Sequence, residues 1–345
     1  MIPIQNIYYM LSYAFQVLNE QGYKNIATEQ FHNTAELMAA ILEKGIAIQL
    51  KRGLGKEYIP QTEALSSLRG KIDIAESIKT QSMLRKQLIC TYDEFSVNSI
   101  MNQIIKSTVE LLLRSNISKQ RKKNLRKLMV YFSEVDFIDL YTVNWNVQYN
   151  RNNQTYRMLI SICYLVVKGL LQTQSNGHTK LMDFLDEQRM CRLYEKFILE
   201  YYRKEFKNQI TANASQIPWQ LDNEENSMLS VMQSDIMLQS GEKVLIIDAK
   251  YYEHSTQVQF DKHTLHSGNL YQIFTYVKNK EYELREKDHT VSGMLLYAKT
   301  DEEIYPNNVY QMSGNQITVR TLDLNLPFDE IAGQLNTIAK THFDL

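Results

Sequence analysis

The stretch Asp235-Ile236-Met237-Leu238-Gln239-Ser240-Gly241-Glu242-Lys243-Val244-Leu245-Ile246-Ile247-Asp248-Ala249-Lys250 decides how this chain is read. Val244 to Ile247 is an unbroken β-branched and aliphatic run, as expected of a central strand covered on both faces. Ser240-Gly241 stands where a hairpin turn is wanted. A turn centred on 240–241 sets Asp235 opposite Ile246 and diagonal to Asp248. Side chains alternate along a strand, so Asp248 and Lys250 share a face. A diagonal cross-strand neighbour can reach that face too. Two carboxylates and a lysine therefore converge at a strand end.

Such a trio suits a divalent cation. Mg²⁺ prefers hard oxygen ligands and keeps several waters, often with one or two protein carboxylates. Asp235 and Asp248 are the candidate metal ligands, and the Ala249 carbonyl is a further oxygen. A metal held there would acidify a water and neutralise charge on a phosphoryl oxygen. Lys250 would orient the attacking water or stabilise the developing negative charge. Phosphodiester hydrolysis is the reaction class that fits. The plainer alternative is a salt bridge between Asp248 and Lys250 closing a structural strand.

The pattern Asp235…Asp248-Ala249-Lys250 resembles the PD-(D/E)xK nuclease signature, with Ser234 where proline is common. Downstream, Leu270-Tyr271-Gln272-Ile273-Phe274-Thr275-Tyr276 resembles the Gln-x-x-x-Tyr helix of the RecB-like branch of that superfamily. Gln272 and Tyr276, four apart, lie on one helical face. Upstream, the segment from Arg192 through Glu195 to Tyr201 resembles the superfamily's first core helix. The resemblance implies Glu195 as a further ligand or base. It implies that Gln272 and Tyr276 position the helix, the lysine or the DNA backbone.

The other end of the chain is similar to a narrower group. Ile2-Pro3-Ile4-Gln5-Asn6-Ile7-Tyr8-Tyr9-Met10-Leu11 resembles the opening of McrC proteins, the nuclease subunits of the McrBC modification-dependent restriction system. The blocks from Arg52 to Tyr58, Glu63 to Asp73 and Tyr92 to Asn98 fit the same family, in the same order. This resemblance implies an McrB-type AAA+ GTPase hexamer as partner and double-stranded methylated DNA as substrate. It also implies an N-terminal half that docks on the ring and stimulates GTP hydrolysis; within that half, the 51–58 loop is the segment chosen for the contact. Two rivals stand beside it: a stand-alone RecB-like repair nuclease, and an inactive adaptor that only activates the GTPase.

Composition sets the bounds. The chain has 345 residues, enough for two cored domains, with 44% hydrophobic and 22% charged residues, as in ordinary globular proteins. Cys90, Cys163 and Cys191 form neither a disulfide framework nor a zinc signature, which suits a reducing cytoplasm. No run is long and apolar enough for a membrane span, and no signal peptide is evident. A net charge of −1 is unusual for a stand-alone DNA binder and points to a partner that supplies DNA affinity. The run Lys119-Gln120-Arg121-Lys122-Lys123-Asn124-Leu125-Arg126-Lys127 is the densest basic patch, with a solvated helix face as its ordinary reading. The Gly55-Lys56 pair lacks the spacing and Ser/Thr of a Walker A loop.

Periodicity predicts helices over 4–20, 35–48, 99–115, 117–133, 156–172, 183–206, 269–280 and 328–341. Ile100, Ile104, Ile105, Val109 and Leu112 are the expected inward stripe of the third. Strands are expected near 209–214, 227–238, 243–252, 291–299, 307–311 and 316–323. Residues 173–179 are the linker candidate. The expected architecture is an α+β N-terminal domain, 1–178, docking on the partner. An α/β PD-(D/E)xK restriction-endonuclease-like core, 179–345, follows it.

Overall fold

The computed structural model describes residues 2–19, 23, 26, 29–150, 153–175, 187–222, 228–251, 257–259, 262–299 and 305–345. The chain divides into two units, Met1–Phe31 with Leu185–Leu345, and His32–Phe184. The first helix, α1 (Ile4–Ala14), therefore groups with the C-terminal unit and not with the segment that follows it. An amphipathic stripe says that a helix packs, but not against what. The predicted linker at 176–179 lies outside the described residues; 173–175 end a helix.

The His32–Phe184 unit contains α2 (Thr34–Arg52), β1 (Glu57–Leu65), β2 (Lys71–Asp73), α3 (Ile74–Lys79), β3 (Leu88–Ser96), α4 (Ile100–Arg114), α5 (Lys119–Met129) and α6 (Tyr156–Ser175). The three strands form an antiparallel sheet in the order β1-β3-β2. Helix α2 starts where Asn33 Oδ1 accepts the Glu36 N–H at 2.8 Å. This is ordinary N-capping of an otherwise unpaired donor. It runs to Arg52, past the predicted end at 48, and closes on Gly53, whose φ of +89° suits glycine. In α4 the inward residues are Met101, Ile104, Ile105, Val109 and Leu112. Ile100, expected inward, is 38% exposed, because the helix starts there and Ser99 caps it.

The other unit continues with α7 (Glu187–Glu205), β4 (Thr211–Asn213), β5 (Gln216–Ile217), β6 (Met232–Gln233), β7 (Ile236–Ser240) and β8 (Lys243–Lys250). Then come β9 (Gln257–Gln259), β10 (Lys262–Thr264), α8 (Ser267–Glu283), β11 (Thr290–Ala298), β12 (Asn308–Met312), β13 (Asn315–Leu322) and α9 (Phe328–Phe343). Its centre is a mixed six-stranded sheet, ordered β12-β13-β11-β8-β7-β4. β8 and β11 run parallel, as do β11 and β13; the remaining pairs are antiparallel. β8 is therefore an interior strand, and its Val244–Ala249 segment is buried throughout, as the apolar run requires.

Helix α8 lies on the sheet face carrying Val244, Ile246, Val291, Leu295 and Tyr297, with Ile273, Tyr276 and Val277 in the same buried cluster. The close approach needs Gly293 in β11: a Cβ there would come within 2.8 Å of Ile273 Cγ1 and 2.9 Å of Val277 Cγ2. Helix α7 is tied to α9 by the Tyr201 and Tyr202 hydroxyls, which donate to the Ala332 and Leu335 carbonyls. Helix α1 is seated by Tyr13, whose ring meets Phe197, Tyr201 and Phe328 and whose hydroxyl donates to Glu205 Oε1 at 2.9 Å. Asn6 fixes the other end, donating to the Leu324 and Leu326 carbonyls at 2.8 Å each.

Candidate active site

The hairpin β7–β8 turns at Gly241-Glu242, one residue later than the sequence reading, because Gly241 takes the left-handed φ of +56°. Ser240 pairs with Lys243, and Ile236 with Ile247. The expected partnering of Asp235 with Ile246 is thus corrected. Asp235 immediately precedes β7, and continuing the ladder by one residue sets it level with Asp248. Side chains directly across an antiparallel pair are closer than diagonal ones, so the observed register brings the two acids closer than a diagonal pairing would. Each carboxyl group bears on the other's ionisation: the Asp235 charge helps to raise the pKa of Asp248.

Asp235 is held from both sides. Its Oδ2 accepts the Ala249 N–H at 3.0 Å. The preceding residue, Ser234, is buried; its N–H donates to the Ser215 carbonyl at 3.0 Å, and its hydroxyl reaches the same oxygen at 3.2 Å. Proline would lack that N–H, which accounts physically for serine at this position.

Asp248 is 1% exposed at the end of the interior strand. The Lys250 ammonium donates to its Oδ1 at 2.9 Å and lies 2.8 Å from Oδ2. Oδ2 has that ion-pair contact but no directed hydrogen bond. Burial raises the pKa of Asp248, and the neighbouring Asp235 charge raises it further, against the pull of Lys250. Asp235 is raised too, chiefly by burial, with Lys250 and the Ala249 N–H opposing. One cation is thus shared by two buried acids.

Lys250 is in turn oriented from α8. Its ammonium donates to Gln272 Oε1 at 3.4 Å, and Gln272 Nε2 donates to the Tyr276 hydroxyl at 2.9 Å. The i, i+4 spacing places both on the face turned to the sheet. The structure therefore brings together five of the six residues singled out from sequence: Asp235, Asp248, Lys250, Gln272 and Tyr276.

Glu195 lies at the margin. Burial raises its pKa first and the charge of Asp235 second. Among the described residues, however, no third His, Cys, Asp or Glu completes a metal-ligand cluster. Glu195 Oε1 instead accepts a hydrogen bond from the Cys191 thiol at 3.1 Å.

Cys191 stood in the sequence only as a free cysteine, not as a neighbour of the site. Its sulfur also approaches the Ala249 carbonyl at 3.9 Å, and burial with the Glu195 contact pushes its pKa up to about 12, so it stays a donor. The available signal was its position one turn before Glu195. Tyr297 was missed too: it pairs with Lys250 across the β8–β11 ladder, and its hydroxyl accepts from Asn269 Nδ2 at 2.9 Å. Only the strand register reveals it.

The residues present are of the kind a hard cation would use: two neighbouring carboxyl groups, both disfavoured as anions by burial, with Asp248 Oδ2 held only by the Lys250 ion pair. A hard cation held by one or two carboxylates and completed by water has this requirement.

Comparison with known proteins bears on the whole chain. Residues 5–298 match the family model described as McrBC 5-methylcytosine restriction system component. The chain is 29% identical over 329 residues to the type IV methyl-directed restriction enzyme EcoKMcrBC of Escherichia coli (strain K12), covering 94% of this chain and 93% of the relative. Among solved structures, it is similar to a refined half-complex from a tetradecameric assembly of Thermococcus gammatolerans McrB AAA+ hexamers with bound McrC. The TM-score is 0.49 at 18% identity, over 97% of this chain and 76% of that one. A cryo-EM structure of the Thermococcus gammatolerans McrBC complex gives 0.42 at 20% identity, over 59% of each chain.

Proposed function

The chain belongs to the family of McrBC 5-methylcytosine restriction system components, and from that premise we propose that it is the DNA-cutting subunit of a modification-dependent restriction complex. One observation carries the reading: Asp235, Asp248 and Lys250 converge at the end of an interior strand, with Gln272 reaching the lysine from α8 and Tyr276 bonded behind Gln272. In this reading α7, the β7–β8 hairpin, α8 and β11 form a PD-(D/E)xK core of the RecB-like branch.

Asp235 and Asp248 would hold Mg²⁺, with Glu195 beside them. Bound there, the cation supplies Lewis acidity that lowers the pKa of water and neutralises phosphoryl charge. Lys250 meets the scissile phosphate and stabilises the negative charge that develops on it. Gln272 and Tyr276 hold the ammonium in line through successive hydrogen bonds. Glu195, its carboxyl biased toward the protonated form, is placed to carry a proton at the edge of the site.

The partner is an McrB-type AAA+ GTPase ring, and the substrate is double-stranded methylated DNA. The His32–Phe184 unit carries the ring contact and the stimulation of GTP hydrolysis. Of the expected 51–58 loop, 51–52 end α2 and 57–58 open β1, which leaves 53–56 as the loop; there the Gly55 N–H donates to the Tyr156 hydroxyl at 2.7 Å, and Asn102 Nδ2 donates to the Gly55 carbonyl at 2.9 Å. The cytoplasm is the compartment that suits three free cysteines. Among the described residues no helix is long and apolar enough to cross a membrane.

The experiment is co-purification with the product of an adjacent GTPase gene, followed by cleavage of methylated and unmethylated plasmid with GTP and Mg²⁺. GTP-dependent cutting of the methylated plasmid is expected. Robust cutting by the isolated chain, indifferent to GTP and methylation, would replace this reading with the stand-alone nuclease.

A further inference from the structure

Helix α5 carries Lys119, Lys122, Lys123, Arg126 and Lys127. Their spacing is i, i+3, i+4, i+7, i+8, so the five cations form one stripe on one face. The stripe is about 12 Å long at 1.5 Å per residue. Lys119, Lys123, Arg126 and Lys127 are exposed and Lys122 is half-buried. The sixth cation, Arg121, behaves differently. It turns inward and meets Glu43 at 2.9 Å and Glu36 at 3.4 Å on α2. Those two acids are fully engaged: Glu36 also accepts from the Ser118 N–H and hydroxyl, and Glu43 from Asn124. Among the described residues none of the five outward cations has an ion-pair partner.

This stripe is costly to the fold. Like charges at i, i+4 destabilise a helix by about 0.2–0.5 kcal/mol per pair. The pairs Lys119–Lys123, Lys122–Arg126 and Lys123–Lys127 all have that spacing. The first turn holds no acidic residue, and Lys119 and Lys122 sit where the helix dipole disfavours cations, whereas Arg126 and Lys127 in the last turn sit where it favours them. Only Leu125 is buried, on the opposite face. A solvated helix face needs charge, but it gains more from mixed signs than from one. In a chain of net charge −1, this concentration is local and unbalanced.

We propose that the α5 stripe is a docking surface for the phosphate backbone of duplex DNA, independent of base sequence. Row geometry and charge complementarity favour this occupant: cations repeating along one face suit phosphates repeating along one strand. The surface rests on the reading of the chain as a DNA-acting protein, but not on the chemistry at Asp248.

The test is fluorescence anisotropy of a labelled duplex with the full chain in EDTA, which removes cleavage from the measurement. Salt is varied from 50 to 200 mM. The comparison is wild type against the K119Q/K122Q/K123Q/R126Q/K127Q variant, whose folding is checked by circular dichroism. Each phosphate contact contributes about 0.9 to the slope of log K against log salt. The slope is expected to fall by about 3 or more, with affinity down at least about tenfold. Should that variant misfold, K123Q/K127Q reads the same loss on a smaller scale, a slope change of about 1–2. An unchanged slope in a folded variant overturns the proposal. So does capture of the wild-type chain by phosphatidylserine vesicles without duplex binding, or loss of GTPase-ring binding alone. Because no cleavage is measured, failure here leaves the Asp235–Asp248 reading intact, and the reverse holds too.

Discussion

The Lys250 ammonium lies 2.8 Å from Oδ2 and 2.9 Å from Oδ1 of Asp248, two positions earlier on the same strand. It is the nearest counter-charge to a buried acidic pair whose pKa values stay raised despite it. The site is therefore charged against the preference of the fold, and the consequences can be measured.

The first consequence is thermodynamic. A carboxyl with a raised folded-state pKa binds its proton more tightly in the fold than in the unfolded chain. Stability of the metal-free protein therefore falls as pH rises from the ordinary carboxylate value through the raised one. Asp248→Asn removes this loss. Relative to wild type, its metal-free midpoint should shift upward by roughly 2–4 °C between pH 5 and pH 8, the shift expected for about 1 kcal/mol in a unit of this size, on top of a pH-independent offset from the lost Lys250 ion pair. Calorimetry in EDTA at pH 5 and pH 8 checks the sign: the gain is larger at pH 8.

The second concerns Mg²⁺ itself. Mg²⁺ should raise the melting midpoint of wild type and leave that of Asp235→Ala/Asp248→Ala unchanged. A ligand at about 100 times its Kd stabilises by about 2.7 kcal/mol, well within reach of a thermal shift. Stabilisation should weaken as pH falls, since protons compete for the same oxygens.

The third separates positioning from binding. Gln272→Ala removes the acceptor that orients Lys250 and the donor to Tyr276. Cleavage rate should drop by roughly tenfold, equivalent to about 1.4 kcal/mol, while Mg²⁺ affinity stays near wild type. Tyr276→Phe should lose less, because the direct Gln272–Lys250 contact remains. Single-turnover rates set beside metal titrations distinguish the two effects.

The fourth lies in the His32–Phe184 unit. Tyr156→Phe leaves the Gly55 N–H without its 2.7 Å acceptor and removes the 2.8 Å hydrogen bond to Asn102 Oδ1. Gly55 is only half-buried, so the orphaned N–H costs at most about 1–3 kcal/mol, which denaturant titration would resolve. If the 53–56 segment makes the ring contact, GTPase stimulation falls in the same variant while DNA cutting by preassembled complex is spared.

Much of the site was legible in the sequence. Asp248 and Lys250 were fixed on one face by strand alternation, and Gln272 with Tyr276 by helical spacing; both rules are local. The register was not legible to the residue, since either Ser240-Gly241 or Gly241-Glu242 could form the turn, and only the backbone geometry at Gly241 decides. Tyr297 depends on pairing between strands forty residues apart and leaves no local pattern. Helix α1 showed its apolar stripe plainly, but its partner is α7, far along the chain. The weak thiol contact of Cys191 to Glu195 follows from helix spacing, but a lone cysteine gives no reason to look for it.

Cleavage of methylated duplex by the assembled complex, with GTP and Mg²⁺, compares wild type and Asp248→Ala most directly. Lost phosphoryl-charge stabilisation of several kcal/mol corresponds to about 10³-fold or more in rate. The variant should fall by that amount, yet still co-elute with the GTPase and stimulate GTP hydrolysis. Cleavage at the wild-type rate by Asp248→Ala, from a preparation free of contaminating nuclease, would contradict the assignment of this pair as the cutting site.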